Sequence, residues 1–201
     1  AAVAVACVAM WLFIRVEAGC GSSALVPLEL FGARAFRGAM IATVGMTFGM
    51  YGALFLLPLT WQSTGRFDVL SAGIALMPMA LVFVVVSPWS NVLTIRFGTR
   101  IVSVGGLVII SAGLILIGMG VDQPSILTQE IGLGLTGLGM GMATGPLMAC
   151  AVGAVGTTRS GTASALINVA RMAGAAFGVA MLGAIFNMMH GDSDGLRAAM
   201  L

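Results

Sequence analysis

The sequence predicts an all-α fold, a polytopic transmembrane helix bundle, and its low charge and high apolar content are the reasons. Only 8% of the 201 residues are Asp, Glu, Lys or Arg, against roughly 25% in an ordinary soluble domain. Hydrophobic residues make up 59% of the chain, and another 29 residues are glycine. Sixteen charged side chains cannot cover the surface of a soluble protein of this size. A cytosolic enzyme, a disordered tail and a secreted disulfide scaffold are therefore excluded.

The spacing of the charged residues places the helices. Four long uncharged runs follow Arg37, Asp68, Arg100 and Glu130, and the shortest of them has 21 residues. About 20 helical residues cross the hydrocarbon core of a bilayer, where the backbone must pair its polar groups internally, so each run predicts a helix. A fifth run is apolar except for Arg171. The predicted spans are 38–58, 72–90, 101–120, 126–150 and 161–186.

The two ends of the chain carry separate expectations. Residues 1–14 are apolar but too few to cross a bilayer, and no basic region precedes them as in a signal peptide. We expect them to be the end of a truncated transmembrane helix, followed by a cytoplasmic connection over 15–37. Residues 187–201 are expected to form an extracytoplasmic tail that leads to a missing last helix. The chain is thus expected to be a fragment.

The arginines predict the orientation, because basic residues collect in cytoplasmic loops. With helix 38–58 starting in the cytoplasm, Arg66 and Arg197 lie outside, and six arginines lie inside: Arg15, Arg34, Arg37, Arg96, Arg100 and Arg159. The expected location is the cell membrane, with the lipid bilayer as a partner. The net charge of +2 and the lack of a basic stripe argue against nucleic acid.

The sequence contains no motif typical of catalysis or of a cofactor. The three cysteines have no metal-binding spacing, and the single histidine, His190, has no partner ligand nearby in the sequence. No nucleophile lies near a base and an orienting acid, and no glycine-rich loop follows a strand. We therefore expect no enzyme, no metal and no cofactor.

The last predicted span carries the most informative polar residues. Asn168 and Arg171 are three residues apart and project from nearly the same helix face. Counted from Gly161, Arg171 is expected roughly 15 Å deep, close to the bilayer midplane, where it should face protein or a water-filled cavity. It either lines a transport pathway or fastens the bundle through carbonyls or an acid in the missing part. Small residues at Gly174 and Gly178 favour close helix packing.

The span 126–150 is rich in glycine. Gly137, Gly141 and Gly145 recur at four-residue spacing and predict a groove for a neighbouring helix. Pro146 follows directly and predicts a point of bending. At the start of the same span, Glu130 is a candidate titrating group near the outer surface; the alternative is a solvated carboxylate.

Two further features have competing interpretations. The short loop around Arg96, Gly98 and Arg100 is expected on the cytoplasmic side, with membrane anchoring as its simplest role. The fifteen methionines could line a pocket that accepts varied ligands, and routine lipid-facing packing is the favoured alternative.

Several motifs in order resemble one transporter family. They are Pro27 to Phe31, Arg34-Ala-Phe-Arg37, Leu56-Leu57-Pro58-Leu59, Ser71-Ala72-Gly73, Arg96-Phe97-Gly98-x-Arg100, Gly161-x-Ala163-Ser164, and Asn168 with Arg171-x-x-Gly174. Together they resemble the C-terminal half of a major facilitator superfamily exporter, more specifically the fourteen-span drug:proton antiporters of the EmrB/QacA type. The loop departs from that pattern: Ile95 stands where similar proteins carry an acid, which leaves Arg96 and Arg100 chiefly as anchors.

The resemblance implies a secondary active transporter. It implies proton-coupled export of drugs or other amphipathic small molecules by alternating access, with the N-terminal half of the same transporter as a partner outside this chain. An exporter of one specific metabolite or antibiotic is the first alternative, and a membrane-embedded enzyme or receptor is the second.

Overall fold

A computed structural model describes residues 8–9, 11–12, 15–16, 28–120, 126–156 and 159–188, and its regular structure there is helical, which confirms the all-α fold class. A short 3-10 helix at Leu28–Gly32 precedes six α-helices: α1 Arg34–Ser63, α2 Val69–Ala75, α3 Met77–Phe97, α4 Thr99–Met119, α5 Leu127–Gly153 and α6 Ser160–Met188. Taking α2 and α3 together, five helices are long and apolar enough to cross a membrane. Most of 1–14 and nearly all of 187–201, including His190, lie outside the described residues.

The helices differ from the predicted spans mainly at prolines. α1 continues through Pro58 to Ser63, since a membrane helix tolerates proline where neighbours pair the freed backbone groups. The span expected at 72–90 divides at Leu76, because Pro78 at the start of α3 has no N–H to donate to the carbonyl oxygen of Ile74, which interrupts the helical hydrogen bonds there. Pro78 fits the first turn of α3, where no N–H is needed.

Glycine-to-backbone contacts make α5 the central helix of the bundle. A methyl group added at Gly113 of α4 would lie 2.7 Å from the carbonyl oxygen of Gly132, and one at Gly106 would lie 2.7 Å from that of Gly139. The paired residues run in opposite directions along the chain, so α4 and α5 are antiparallel. The glycines carry no side chain at these points, which lets the two backbones approach closely.

A second glycine stripe of α5 faces α3. Added methyl groups would meet the Met79 backbone at Gly137, Val86 at 3.1 Å from Gly141, and Ser90 Oγ at 3.1 Å from Gly145. The numbers rise together along both helices, so α3 and α5 are parallel.

A third close contact joins α1 and α6. Gly174 lies against Val44, Gly178 against the backbone of Phe48, and Leu182 against Gly52. These pairs keep one constant offset, which shows that α1 and α6 are parallel and in register. For each residue of α6, this offset gives the residue of α1 that lies at the same height along the helix axis.

The end of the bundle at which α1 terminates is held by a buried polar contact. Trp61 of α1 donates its indole N–H to Oε1 of Gln129 on α5 at 2.9 Å, and both side chains are 2% exposed. The Trp61 ring also packs edge-on against Phe67, with ring centroids 5.5 Å apart. This contact stabilises the turn of α1 beyond Pro58, because buried polar groups need a partner in an apolar environment.

Candidate functional site

A pocket of about 310 Å³ lies between α1, α3 and α5. Its lining comes from Met50, Tyr51, Leu54, Leu76, Met79, Ala80, Phe83 and Met140. The two glycine stripes position this pocket, because they hold α4 and α3 against other sides of α5 and leave Met140 facing the gap beside α1. Its size falls at the lower end of the range for small-molecule sites.

The pocket lies near the middle of the helix bundle. Met140 is the central residue of α5, whose ends are Leu127 and Gly153. The Trp61–Gln129 contact lies eleven residues from Met140 along α5, about 16 Å at 1.5 Å per residue.

The lining is apolar, soft and aromatic. Three thioethers and two aromatic rings face the pocket, and the Tyr51 hydroxyl is its one polar side-chain group among the residues that line it. Methionine side chains are flexible and polarizable and make favourable contacts with aromatic rings. The pocket can therefore hold a flat or irregular apolar group without demanding one shape.

The structure places Asn168 and Arg171 on one flank of α6. Asn168 is exposed and Arg171 is half-buried. The Nε of Arg171 is buried and has no hydrogen-bond partner. An unpaired donor in such a place costs free energy until a partner reaches it.

The structure gives the level of Arg171 relative to α1, and its expected depth near the bilayer midplane stays a prediction. The α1–α6 register puts Arg171 level with Ile41, one helical turn beyond Arg37, and nine residues from the pocket level at Met50. Nine residues correspond to about 14 Å along the helix axis.

Arg171 nevertheless shares a side of the bundle with the pocket. On α1, Tyr51 and Leu54 flank the line of contact with α6 on the side toward α5. For two parallel right-handed helices at 100° per residue, Asn168 and Arg171 flank the same line on the same side. The pocket and Arg171 thus belong to one concave face, opposite α4.

The other residues singled out in the sequence are distributed around that face. Gly137, Gly141 and Gly145 contact α3, and Gly174 and Gly178 contact α1. Pro146 is buried within α5. These residues shape the walls and do not line the pocket.

The charged candidates lie at the two ends. Gly98 is the single residue joining α3 to α4, and its φ of 85° favours glycine. Arg96 and Arg100 flank it and are exposed, with the Arg96 guanidinium 5.6 Å from the Phe97 ring centroid. Glu130 is half-buried in the first turn of α5, at the opposite end of the bundle from that loop. The loop and Glu130 are therefore separated by the full length of a span.

Sequence reasoning missed the pocket residues and the Trp61–Gln129 contact. The available signal for Gln129 was a polar, uncharged residue beside an apolar run, but the neighbouring Glu130 was singled out instead. Methionine content could not separate pocket from lipid, because Met50 and Met79 are buried whereas Met172 and Met188 are exposed. Only the helix packing distinguishes these two groups.

Comparisons with known proteins agree with this architecture. The profile of the Major Facilitator Superfamily matches residues 1–179. The chain is 28% identical over 174 residues to multidrug resistance protein Stp of Mycobacterium tuberculosis, covering 87% of this chain and 32% of that protein. It is 28% identical over 178 residues to drug efflux pump JefA of the same species, covering 89% and 35%. It is 29% identical over 167 residues to probable transport protein HsrA of Haemophilus influenzae, covering 83% and 36%. The chain spans about a third of the length of these relatives.

Proposed function

Because the chain belongs to the Major Facilitator Superfamily, whose members are membrane transporters and not enzymes, we propose that it forms part of an exporter of drugs or other amphipathic small molecules. It is a multi-pass protein of the cell membrane, with five apolar helices long enough to cross it. Relatives named as a multidrug resistance protein and a drug efflux pump support export as the direction of transport.

The pocket at the middle of the bundle is the observation that carries this proposal. Transporter substrates bind near the bilayer midplane, where both sides of the membrane can be reached in turn. The pocket between α1, α3 and α5 is level with the middle of α5, and its lining of thioethers and aromatic rings suits apolar groups of varied shape. The same lining supports broad rather than single-compound recognition.

Alternating access and proton coupling complete the proposal. The central cavity would close against an N-terminal half outside this chain, as in the fourteen-span antiporters that the motifs resemble, and coverage of about a third of the relatives supports a larger whole. Pro58 in α1 and Pro146 in α5 supply bending points in two helices that border the pocket. Glu130 is the candidate titrating group within this half, at its outer end. Arg96 and Arg100 are assigned to anchoring at the cytoplasmic surface.

Dye efflux from cells that express the full-length gene tests the proposal. Cells loaded with ethidium should lose the dye faster with the gene than without it, and a protonophore should abolish the difference. Export that survives the protonophore would contradict proton coupling but not export itself. Equal dye retention with and without expression, across several amphipathic dyes, would contradict the multidrug exporter itself.

A further inference from the structure

The side of α3 that lines the pocket continues past it with two polar residues, Ser87 and Asn91. They lie seven and eleven residues beyond Ala80, which lines the pocket. At about 100° per residue, both return to within about 20° of the direction of Ala80. Ser87 is four residues beyond Phe83, the last residue of α3 in the pocket lining, which is about 6 Å along the helix axis. The two polar residues therefore follow the pocket directly.

Both side chains lean toward the pocket. In a helix the bond from Cα to Cβ tilts toward the N-terminus, so a side chain covers the turn before its own Cα. The N-terminal half of α3 is the half that lines the pocket, and Asn91 thus extends toward the level of Ser87. Asn91 also borders α5, since its Oδ1 is 3.9 Å from a methyl group added at Gly145.

Ser87 and Asn91 differ from their polar neighbours in their hydrogen bonds. Ser90 donates its hydroxyl to the carbonyl oxygen of Ser87 at 2.8 Å, and Thr94 donates to that of Ser90 at 2.7 Å. Among the described residues, the Ser87 hydroxyl and the Asn91 amide have no partner. Asn91 is exposed within a helix that is apolar enough to cross a membrane. An unpaired amide is costly in hydrocarbon, which favours contact with a polar group over contact with lipid.

The group that pairs with these side chains should be uncharged. α3 has no charged residue over 77–95, and the described residues of the pocket lining include none. Burying an unpaired charge costs far more than burying a hydrogen-bonded neutral group. Asn and Ser each offer donors and acceptors, so they match an amide or a hydroxyl group.

We infer that Ser87 and Asn91 form a polar subsite beside the pocket and bind an uncharged hydrogen-bonding group of the substrate, while the apolar group of the same molecule occupies the pocket. The inference rests on the proposed function and adds the chemical class of the substrate. The separation of about 6 Å between Phe83 and Ser87 along α3 lets one small amphipathic molecule contact both.

Two fluorescent probes of matched shape test the inference. Dansylglycinamide ends in a carboxamide, and N-isobutyl dansylamide carries two methyl groups in place of the carboxamide oxygen and nitrogen. Binding of each is measured by fluorescence titration of the purified full-length protein in nanodiscs of neutral lipid, with empty nanodiscs as the background. Asn91→Leu, which nearly conserves shape, should weaken dansylglycinamide binding about threefold to tenfold, the value of one neutral hydrogen bond. The same substitution should leave N-isobutyl dansylamide binding unchanged or tighter.

Three further variants complete the comparison. Ser87→Ala should also weaken binding of dansylglycinamide alone, and Asn91→Gln, which keeps an amide, should retain part of the affinity. Thr94→Val should change the binding of neither probe, because the Thr94 hydroxyl is donated within its own helix and lies about 16 Å beyond Phe83 along the axis.

Every outcome decides the question. An Asn91→Leu loss that is equal for both probes means a structural role for Asn91 and overturns the inference. Unchanged dansylglycinamide binding in Asn91→Leu and Ser87→Ala also overturns it, and so does binding of neither probe by the unaltered protein when dye export in cells is intact. The exporter proposal survives these results. Absence of both probe binding and dye export rejects the proposed function itself, and the inference with it.

Discussion

Adding one methyl group to α5 should have opposite effects at two glycines five residues apart. A methyl group at Gly139 would collide with the carbonyl oxygen of Gly106 and lie 2.8 Å from two atoms of Ile110. A methyl group at Gly134 meets nothing within 4 Å. Both glycines lie well inside the helix, so alanine improves helix propensity at each by up to about 1 kcal/mol. The difference between the two variants therefore isolates the packing of α4 on α5.

The packing cost at Gly139 exceeds the propensity gain. Both nearest partners are backbone or branched core atoms, which cannot turn aside, so α4 and α5 must move apart along their whole contact. Overpacking of this kind costs about 1–3 kcal/mol, and a gap of 0.5–1 Å forfeits a quarter to a half of the dispersion energy of the atoms that separate. We expect Gly134→Ala to be neutral or stabilising, and Gly139→Ala to be less stable than Gly134→Ala by about 1–3 kcal/mol.

Reversible unfolding of the full-length protein in mixed micelles, driven by increasing SDS and followed by tryptophan fluorescence, measures this difference. The unaltered protein and Gly134→Ala serve as references in the same titration. If Gly139→Ala unfolds at the same SDS fraction as Gly134→Ala, the close contact of α4 with α5 does not exist in the membrane protein and the reasoning from it is refuted.

Three further predictions use other parts of the bundle. Trp61→Phe removes the indole donor and should lower the free energy of unfolding in the same assay by about 1 kcal/mol. Trp89→Phe, at an exposed position, should have little effect. Equal effects of the two substitutions would contradict a role for the buried hydrogen bond. Met140→Ala should weaken the binding of dansylamide, a neutral aromatic probe, several-fold because it removes part of the pocket wall. Met181→Ala, also at an exposed position, should leave this binding unchanged. Weaker binding in both variants would argue against the pocket. The pKa of Asp68 is lowered from its ordinary value of 3.8 by hydrogen bonds from Ser71 at the start of α2. The ionised carboxylate therefore stabilises the start of α2 above about pH 4, and this stabilisation is lost as the pH falls through the lowered pKa. Hydrogen exchange over 69–75 should therefore show less protection at low pH, and Asp68→Ala should remove that dependence; an unchanged pH dependence in the variant would contradict the assignment.

The sequence was sufficient for the helices because the membrane dictates them. Each uncharged run had to be helical, and the structure has a helix in every one. The ends of the helices were harder to place, since the hydrocarbon core sets a minimum helix length and not a boundary. For example, α1 continues past Pro58 to Trp61, whose side chain is hydrogen-bonded to Gln129. The break at Leu76 was signalled by Pro78, whose effect on the preceding residues is local.

The site could be predicted less well because it depends on which helices touch. Asn168 and Arg171 were recognised from spacing alone, yet their level relative to the pocket required the register of α6 on α1, which sequence does not encode in any local pattern. The pocket residues are ordinary Met, Leu and aromatic residues with no distinguishing neighbours. Their common position appears only when two glycine stripes orient α5 against α3 and α4.

The glycine stripes of α5 also constrain how this protein can evolve. A glycine can be replaced only by something larger, so on the sides that face α3 and α4 almost every substitution adds volume where none is available. The side at Met140 is free of that restriction, since a flexible side chain there borders an open pocket. Variation on α5 is thereby directed to the side that borders the pocket, where a substitution can change the pocket lining without disturbing the helix packing on which folding depends.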